Sequence, residues 1–319
     1  MKRISTSHLF AAPRLARPLF RMLVGVTCVI SLGACSSVNK NSVAASIDGK
    51  EVSRDDFERY VDEFASIGQL QVADGVLAGN DLRSILTAVV KVSAYSNFLA
   101  SVGKPITEAQ RSAAAKKITD KTFSTLSKDL QSLIVDLNVS TEAINTLPSP
   151  SDKEIADIYS SSPHRTGVMC LSHIVTKEKS TAVDVLKKLN AGADFAKLAA
   201  KYSIEPNAKE TGGALSGSST DGKPTRCITL LDMQENIDPL FIAGAVAAKA
   251  GVPYGPVQSS FGYHVILVQP FESVKDEVVA SVKAQPGALL ATGYILDADI
   301  TVDPAYGRWV PATASIVAG

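Results

Sequence analysis

Two histidines in strand-like surroundings are the residues of this chain best placed to do chemistry. His173 lies in the apolar run Val168-Met-Cys-Leu-Ser-His-Ile-Val-Thr176, and His264 closes Tyr254-Gly-Pro-Val-Gln-Ser-Ser-Phe-Gly-Tyr-His264. Two imidazoles at strand positions can share a hydrogen bond and fix one another's tautomers. Taken singly, either would as readily fill a polar gap in a core. The remaining histidines are His8 and His164, and of four cysteines only Cys170 and Cys227 lie beyond residue 35. Two thiols do not make a tetrahedral zinc site, so no metal is expected, and nothing else in the chain calls for a cofactor.

The N-terminus says where that chemistry would operate. Lys2, Arg3, Arg14, Arg17 and Arg21 precede a 13-residue run, Met22 to Ala34, that contains no charge. A basic segment before a short apolar one reads as a signal peptide, residues 1–34, and the run falls short of the roughly 20 residues of a spanning helix. Leu32-Gly-Ala-Cys35 resembles the lipobox of bacterial lipoproteins, in which the cysteine is acylated and becomes the first mature residue. That resemblance implies lipidation at Cys35, a polar tether over 35–42, and a lipid anchor on the extracytoplasmic face of a bacterial membrane. One acyl chain binds only marginally, so stable anchoring takes the second chain that lipoprotein maturation supplies. Outside the cytoplasm, Cys170 and Cys227 form one disulfide or remain two buried thiols.

Removing the leader leaves 27 basic against 32 acidic residues, a net charge of −5, which argues against nucleic acid as a partner. About 285 mature residues fit two folded units better than one.

The elements that must position the histidines follow from pattern. Asp48-Gly49 between short apolar runs predicts a hairpin over 43–52. Ser53 caps a helix whose Phe57, Tyr60, Val61 and Phe64 form one apolar stripe. Helical pattern continues over 81–101, 107–118 and 120–147, with Thr107 and Gln110 as a capping box. Leu147-Pro-Ser-Pro-Ser151 then breaks it, and Ser151 with Glu154 opens another helix. The organisation expected is a helical domain over 43–150, a linker helix over 151–167, an α+β unit over 168–272, and a tail over 273–319. The tail holds a helix near 274–283 and a strand at 300–303. It is too small to fold alone, so it is expected to return to the N-terminal domain and pair its strand there.

Within 168–272 the pieces quoted above, with Ala182 to Ser203 and Gly212-Gly-Ala-Leu215, resemble the parvulin family of peptidyl-prolyl cis-trans isomerases. The N-terminal hairpin and helix, together with the lipobox, look like the exported SurA and PrsA class of chaperone-isomerases. The resemblance implies an α+β fold: a four-stranded antiparallel sheet wrapped by helices, plus a mainly helical SurA N-like chaperone domain completed by the C-terminal tail. It places His173 and His264 on neighbouring central strands beneath a prolyl pocket. Glu205 falls at the family's third polar position, usually Asp or Cys. Leu215, Ile237 and Phe241 match the apolar floor, with Ser259 and Phe261 on the rim. One departure is the polar loop Ser216 to Arg226, where most parvulins continue with Gly and an aromatic. A Cys170–Cys227 bond would pin that loop beside the site.

The implied function is isomerisation of X-Pro bonds in newly exported, proline-containing proteins. The alternative is a holdase in which the helical domain cradles unfolded clients and the isomerase unit is inactive or nearly so.

Overall fold

The structure, a computed structural model, describes residues 43–70, 72–73, 76–215, 217–218 and 224–319. The expected signal peptide, the lipid site Cys35 and the tether lie outside the described residues.

Strand β1 (Val43–Ile47) turns through Asp48-Gly49 into β2 (Lys50–Ser53). Asp48 has φ 50° and Gly49 φ 80°, the pair of left-handed residues that a two-residue hairpin turn with native twist demands. Ser53 then accepts a hydrogen bond from Asp56 N and caps α1 (Arg54–Ser66), which buries Phe57 and Val61. A short hairpin of β3 (Val72–Ala73) and β4 (Val76–Leu77) leads to α2 (Gly79–Ser101), followed by α3 (Glu108–Lys117) with its Thr107/Gln110 capping box. The helix expected over 120–147 is shorter. A single 3₁₀ turn spans Phe123–Thr125, and α4 (Lys128–Asn145) starts only where the Ser127 hydroxyl accepts from Leu130 N.

Helix α5 (Asp152–Ser161) has the Ser151/Glu154 capping box, yet it does not behave as a linker. Its Ile155 and Tyr159 are fully buried in the core of the following unit, and the Tyr159 hydroxyl donates to Gln269 O at 2.9 Å.

That unit runs through β5 (Val168–Thr176), α6 (Lys179–Asn190), α7 (Phe195–Tyr202), α8 (Ala208–Thr211), the two-residue strands β6 (Gly217–Ser218) and β7 (Pro224–Thr225), β8 (Cys227–Thr229), α9 (Leu230–Asn236), α10 (Pro239–Ala247), β9 (Tyr254–Ser259) and β10 (Gly262–Val268). Its sheet has four antiparallel strands in the order β8-β5-β10-β9. Every residue of central β5 is buried, because helices cover both faces of the sheet. Ile174 and Val265 pack towards α6 and α7, whereas Leu171, Ile266 and Val268 join the core built with α5, α9 and α10.

The tail serves both units. Helix α11 (Phe271–Ala284) puts Val274, Val278 and Val282 into the core of the second unit. Beyond it come α12 (Pro286–Asp297), β11 (Ile300–Val302), β12 (Arg308–Val310) and β13 (Ser315–Val317). Strand β11 lies antiparallel beside β1, with Ala45 opposite Val302, so the first sheet has the order β11-β1-β2. Ile316 N donates to Thr87 Oγ1 on α2 at 3.0 Å. Helix α12, which sequence pattern left unread, threads between the units at backbone contact. A Cβ on Gly287 would lie 1.8 Å from Ile144 O, and one on Gly293 would lie 2.6 Å from His164 O.

Candidate functional site

Strand register decides where the histidines stand. His173 faces Ile266 across the β5–β10 ladder and His264 faces Val175, so the two lie on one face of the sheet as diagonal neighbours. Their rings are parallel within 7°, with centroids 5.4 Å apart and Nδ1 atoms 3.2 Å apart. A hydrogen bond there needs one Nδ1 to hold a proton and the other a lone pair.

Flanking groups assign which is which. Ser259 Oγ lies 2.7 Å from His264 Nε2 and also accepts from Phe261 N at 3.1 Å. If the serine hydroxyl donates to Nε2, the proton of neutral His264 sits on Nδ1 and points at His173 Nδ1. The proton of His173 then sits on Nε2, which faces Glu205 Oε2 at 2.7 Å. The donors run one way, from Ser259 through His264 and His173 to the carboxylate, a tautomer assignment made from the network. His173 Nε2 is buried and stands 2.7 Å from Glu205 Oε2 off the ideal hydrogen-bond axis, so the contact is a bent one between the ring N–H and the carboxylate.

The electrostatics agree with this order. Burial pushes the His264 imidazole down to about 4, helped by neighbouring His173, so His264 is neutral at physiological pH. His173 holds the Glu205 carboxyl below the usual carboxylate range, against the opposing effect of burial.

Above the histidines opens a cavity of about 350 Å³. It gathers every residue the sequence reading assigned to the pocket: His173, Glu205, Leu215, Ile237, Phe241, Ser259, Phe261 and His264. Phe241 presents its ring edge-on to both imidazoles, at centroid distances of 5.4 Å to His173 and 5.0 Å to His264. Leu215 is held by its N–H to Leu171 O, and Ile204 N–H to Val175 O brings the Glu205 loop onto β5. Phe261 stands 72% exposed at the mouth.

Sequence reasoning missed five lining residues: Val175, Ile204, Pro206, Asn236 and Asp238. Asp238 matters most. Its carboxylate caps α10 by accepting from Leu240 N at 2.9 Å, and it also accepts from Ser260 N at 2.9 Å and the Ser260 hydroxyl at 2.7 Å. It thereby ties the helix carrying Phe241 to the turn carrying Phe261. Burial raises its carboxyl, but the hydrogen bonds from Ser260, Leu240 and Phe241 together outweigh that and hold it below the usual range. The signal available was Asp before Pro at a helix start, a common cap pattern.

Cys170 and Cys227 are bonded, and they face each other directly across the β5–β8 pair. Of the polar loop between Leu215 and Cys227, residues 216 and 219–223 lie outside the described residues. No cluster of three or more His, Cys, Asp or Glu side chains fit for a metal occurs among the described residues, and no helix there is long and apolar enough to cross a membrane.

Comparison with known proteins bears on this unit directly. Residues 172–271 match the family model described as the PPIC-type PPIASE domain. The unit is a parvulin-type domain. It is homologous to the corresponding part of PrsA foldases. Over 149 residues the chain is 34% identical to "Foldase protein PrsA" of Clostridium kluyveri, covering 46% of this chain and 40% of that protein. Over 181 residues it is 30% identical to the protein of that name in Clostridium botulinum, covering 53% and 50%. The match thus spans half or less of the length of these curated relatives. Among solved structures, PrsA from Bacillus subtilis is 20% identical over 80% of this chain and 91% of that chain. Its TM-score is 0.28, too low to bear on the fold described above.

Proposed function

We propose that this chain is an extracytoplasmic foldase that catalyses cis-trans isomerisation of X-Pro bonds in newly exported proteins, held at the membrane by lipid on Cys35. The observation that carries the reading is the His173–His264 pair, ordered between Ser259 and Glu205, directly beneath an apolar cavity of about 350 Å³.

Rotation about a peptide C–N bond meets a barrier of ~18–20 kcal/mol, and an X-Pro bond turns over unaided in tens to hundreds of seconds. No bond need break. The twisted imide has lost its resonance, so its carbonyl is less polar and is better suited to a dry site than the planar ground state is. Leu215, Ile237 and Phe241 seat the ring and exclude water. Neutral His264 and the imidazole of His173 keep the floor polar, and Glu205 fixes the end of the donor chain. A thousandfold acceleration needs only ~4 kcal/mol of differential binding, which shape, desolvation and a few hydrogen bonds can supply.

In this reading the helices of 43–150, completed by the tail, hold unfolded clients while the pocket works on their prolines. The test is an isomerisation assay by NMR exchange on the mature chain, with His173→Ala and His264→Ala alongside. Acceleration lost in both variants supports the enzyme. Rates equal to buffer with aggregation of an unfolded client still suppressed would leave the holdase. For the anchor, Cys35→Ser should release the protein from the membrane fraction.

A further inference from the structure

The cup is apolar, but among the described residues the charge that lines its mouth has one sign. Glu205 and Asp238 are the two carboxylates lining the cavity, and among the described residues no lysine or arginine lines it. Asp238 is fixed by three hydrogen bonds and cannot swing away. Glu205 stands 41% exposed beside His173, so its charge faces both the floor and the entrance. Both carboxyls are held ionised by their neighbours, and both act electrostatically on His264 at the base of the cavity. Around them Ile204, Leu240 and Phe261 expose apolar surface, a combination suited to an apolar or cationic side chain and hostile to an anionic one.

We propose that this pocket selects its substrates by the charge of the residue before proline: it favours basic and large apolar side chains there and rejects a carboxylate or a phosphate. This deepens the prolyl isomerase reading and rests on it. The residue before proline supplies the carbonyl of the rotating bond, and its Cα lies within about 3.8 Å of the proline Cα, so its side chain cannot leave the mouth. A charge held there within roughly 8 Å of two carboxylates, in near-aqueous surroundings, should alter kcat/KM about threefold to tenfold. The contrast should shrink as salt rises, since the screening length is about 10 Å at 0.1 M and 3 Å at 1 M.

The experiment uses the full mature chain with the peptides Ala-Lys-Pro-Phe, Ala-Leu-Pro-Phe, Ala-Glu-Pro-Phe and Ala-phosphoserine-Pro-Phe. Isomerisation is read by NMR exchange, and binding by chemical-shift change in the same samples. The lysine and leucine peptides should exceed the glutamate and phosphoserine ones by about threefold to tenfold at low salt. Asp238→Asn, whose amide oxygen can still accept from Ser260, should narrow the gap, as should Glu205→Gln. Glutamate or phosphoserine peptides turned over as fast as lysine, or a gap indifferent to salt and to both substitutions, would overturn the proposal. If no peptide is accelerated but binding keeps the lysine-over-glutamate order, charge selection stands and catalysis does not. Acceleration without any order leaves catalysis and removes the selection.

Discussion

The Nδ1 atoms of His173 and His264 stand 3.2 Å apart in rings parallel within 7°, although the residues are 91 positions apart in the chain. Their contact depends on a proton on one Nδ1 only, which the neutral His264 supplies. Protonating His264 would add a proton at Nε2 and force Ser259 Oγ to turn from donor to acceptor, breaking the one-way order of donors.

The first prediction concerns pH. The folded His264 titrates near 4 against an ordinary value of 6.5, so between those values the unfolded chain takes up the proton and the folded one does not. Stability should be unaffected by this group above pH 6.5. It should then fall as pH drops from 6.5 towards 4, by at most about 3 kcal/mol. Glu205, held below its usual value, adds a loss in the same direction at lower pH. Isomerase activity should be level from pH 8 to 5 if it requires neutral His264. NMR titration of the His264 ring protons checks the cause, and a midpoint near 6.5 would refute it.

Ser259→Ala should show whether the order of the pair matters apart from its presence. The substitution removes the donor to His264 Nε2 and the acceptor for Phe261 N, while leaving both imidazoles in place. A hydrogen bond of this kind contributes about 1 kcal/mol, so we expect a several-fold fall in kcat/KM. His264 would also become free to change tautomer, and its nitrogen shifts would move. Unchanged shifts together with unchanged rate would show that the serine does not set the tautomer.

Much of this site was legible because a strand alternates its faces, and both histidines sit in strand-like runs with recognisable neighbours. Glu205 could be found only through the motif around it, since a loop carboxylate has no periodicity. Asp238 was passed over because what makes it matter is Ser260, 22 positions away, and no local pattern records that contact. Helix α5 read as a linker after Pro148-Ser-Pro150, yet Ile155 and Tyr159 are fully buried in the second core. Helix α12 escaped for the opposite reason. Leu289, Leu290, Ala291, Ile295 and Leu296 bury it from several sides, which erases the polar face that would have marked it as helical.

Reduction of Cys170–Cys227 should weaken the parvulin-type domain from the side of the polar loop. The bond closes a segment with a sequence separation of 57, for which the chain-entropy description predicts about 4 kcal/mol of stabilisation. Both sulfurs are buried, so reductant should act slowly on the folded protein. Cys170→Ala with Cys227→Ala should lower the denaturation midpoint. It should also reduce activity, because Leu215 hangs from Leu171, the neighbour of Cys170. Identical denaturation curves for the oxidised protein and the double variant would show that the bond contributes nothing to stability.

The two glycines of α12 allow the junction between the units to be probed from each side. At Gly293 an added methyl would sit 2.6 Å from His164 O and 2.7 Å from Arg165 O, both on the 3₁₀ turn (Pro163–Thr166) that leads into β5. His164 and Arg165 also contact the helix through Asp297, at 2.7 Å and 3.1 Å. Backbone oxygens cannot yield as a side chain tip can, so Gly293→Ala must push the helix off the turn, at about 1–3 kcal/mol. Gly287→Ala presses instead on Ile144 O at the end of α4, within the first unit. Hydrogen exchange should therefore show Gly293→Ala loosening β5 and the 163–166 turn first, and Gly287→Ala loosening α4 first. If both variants raised exchange uniformly over the chain, the two units would unfold as one body, and α12 would be a shared core helix rather than a seam.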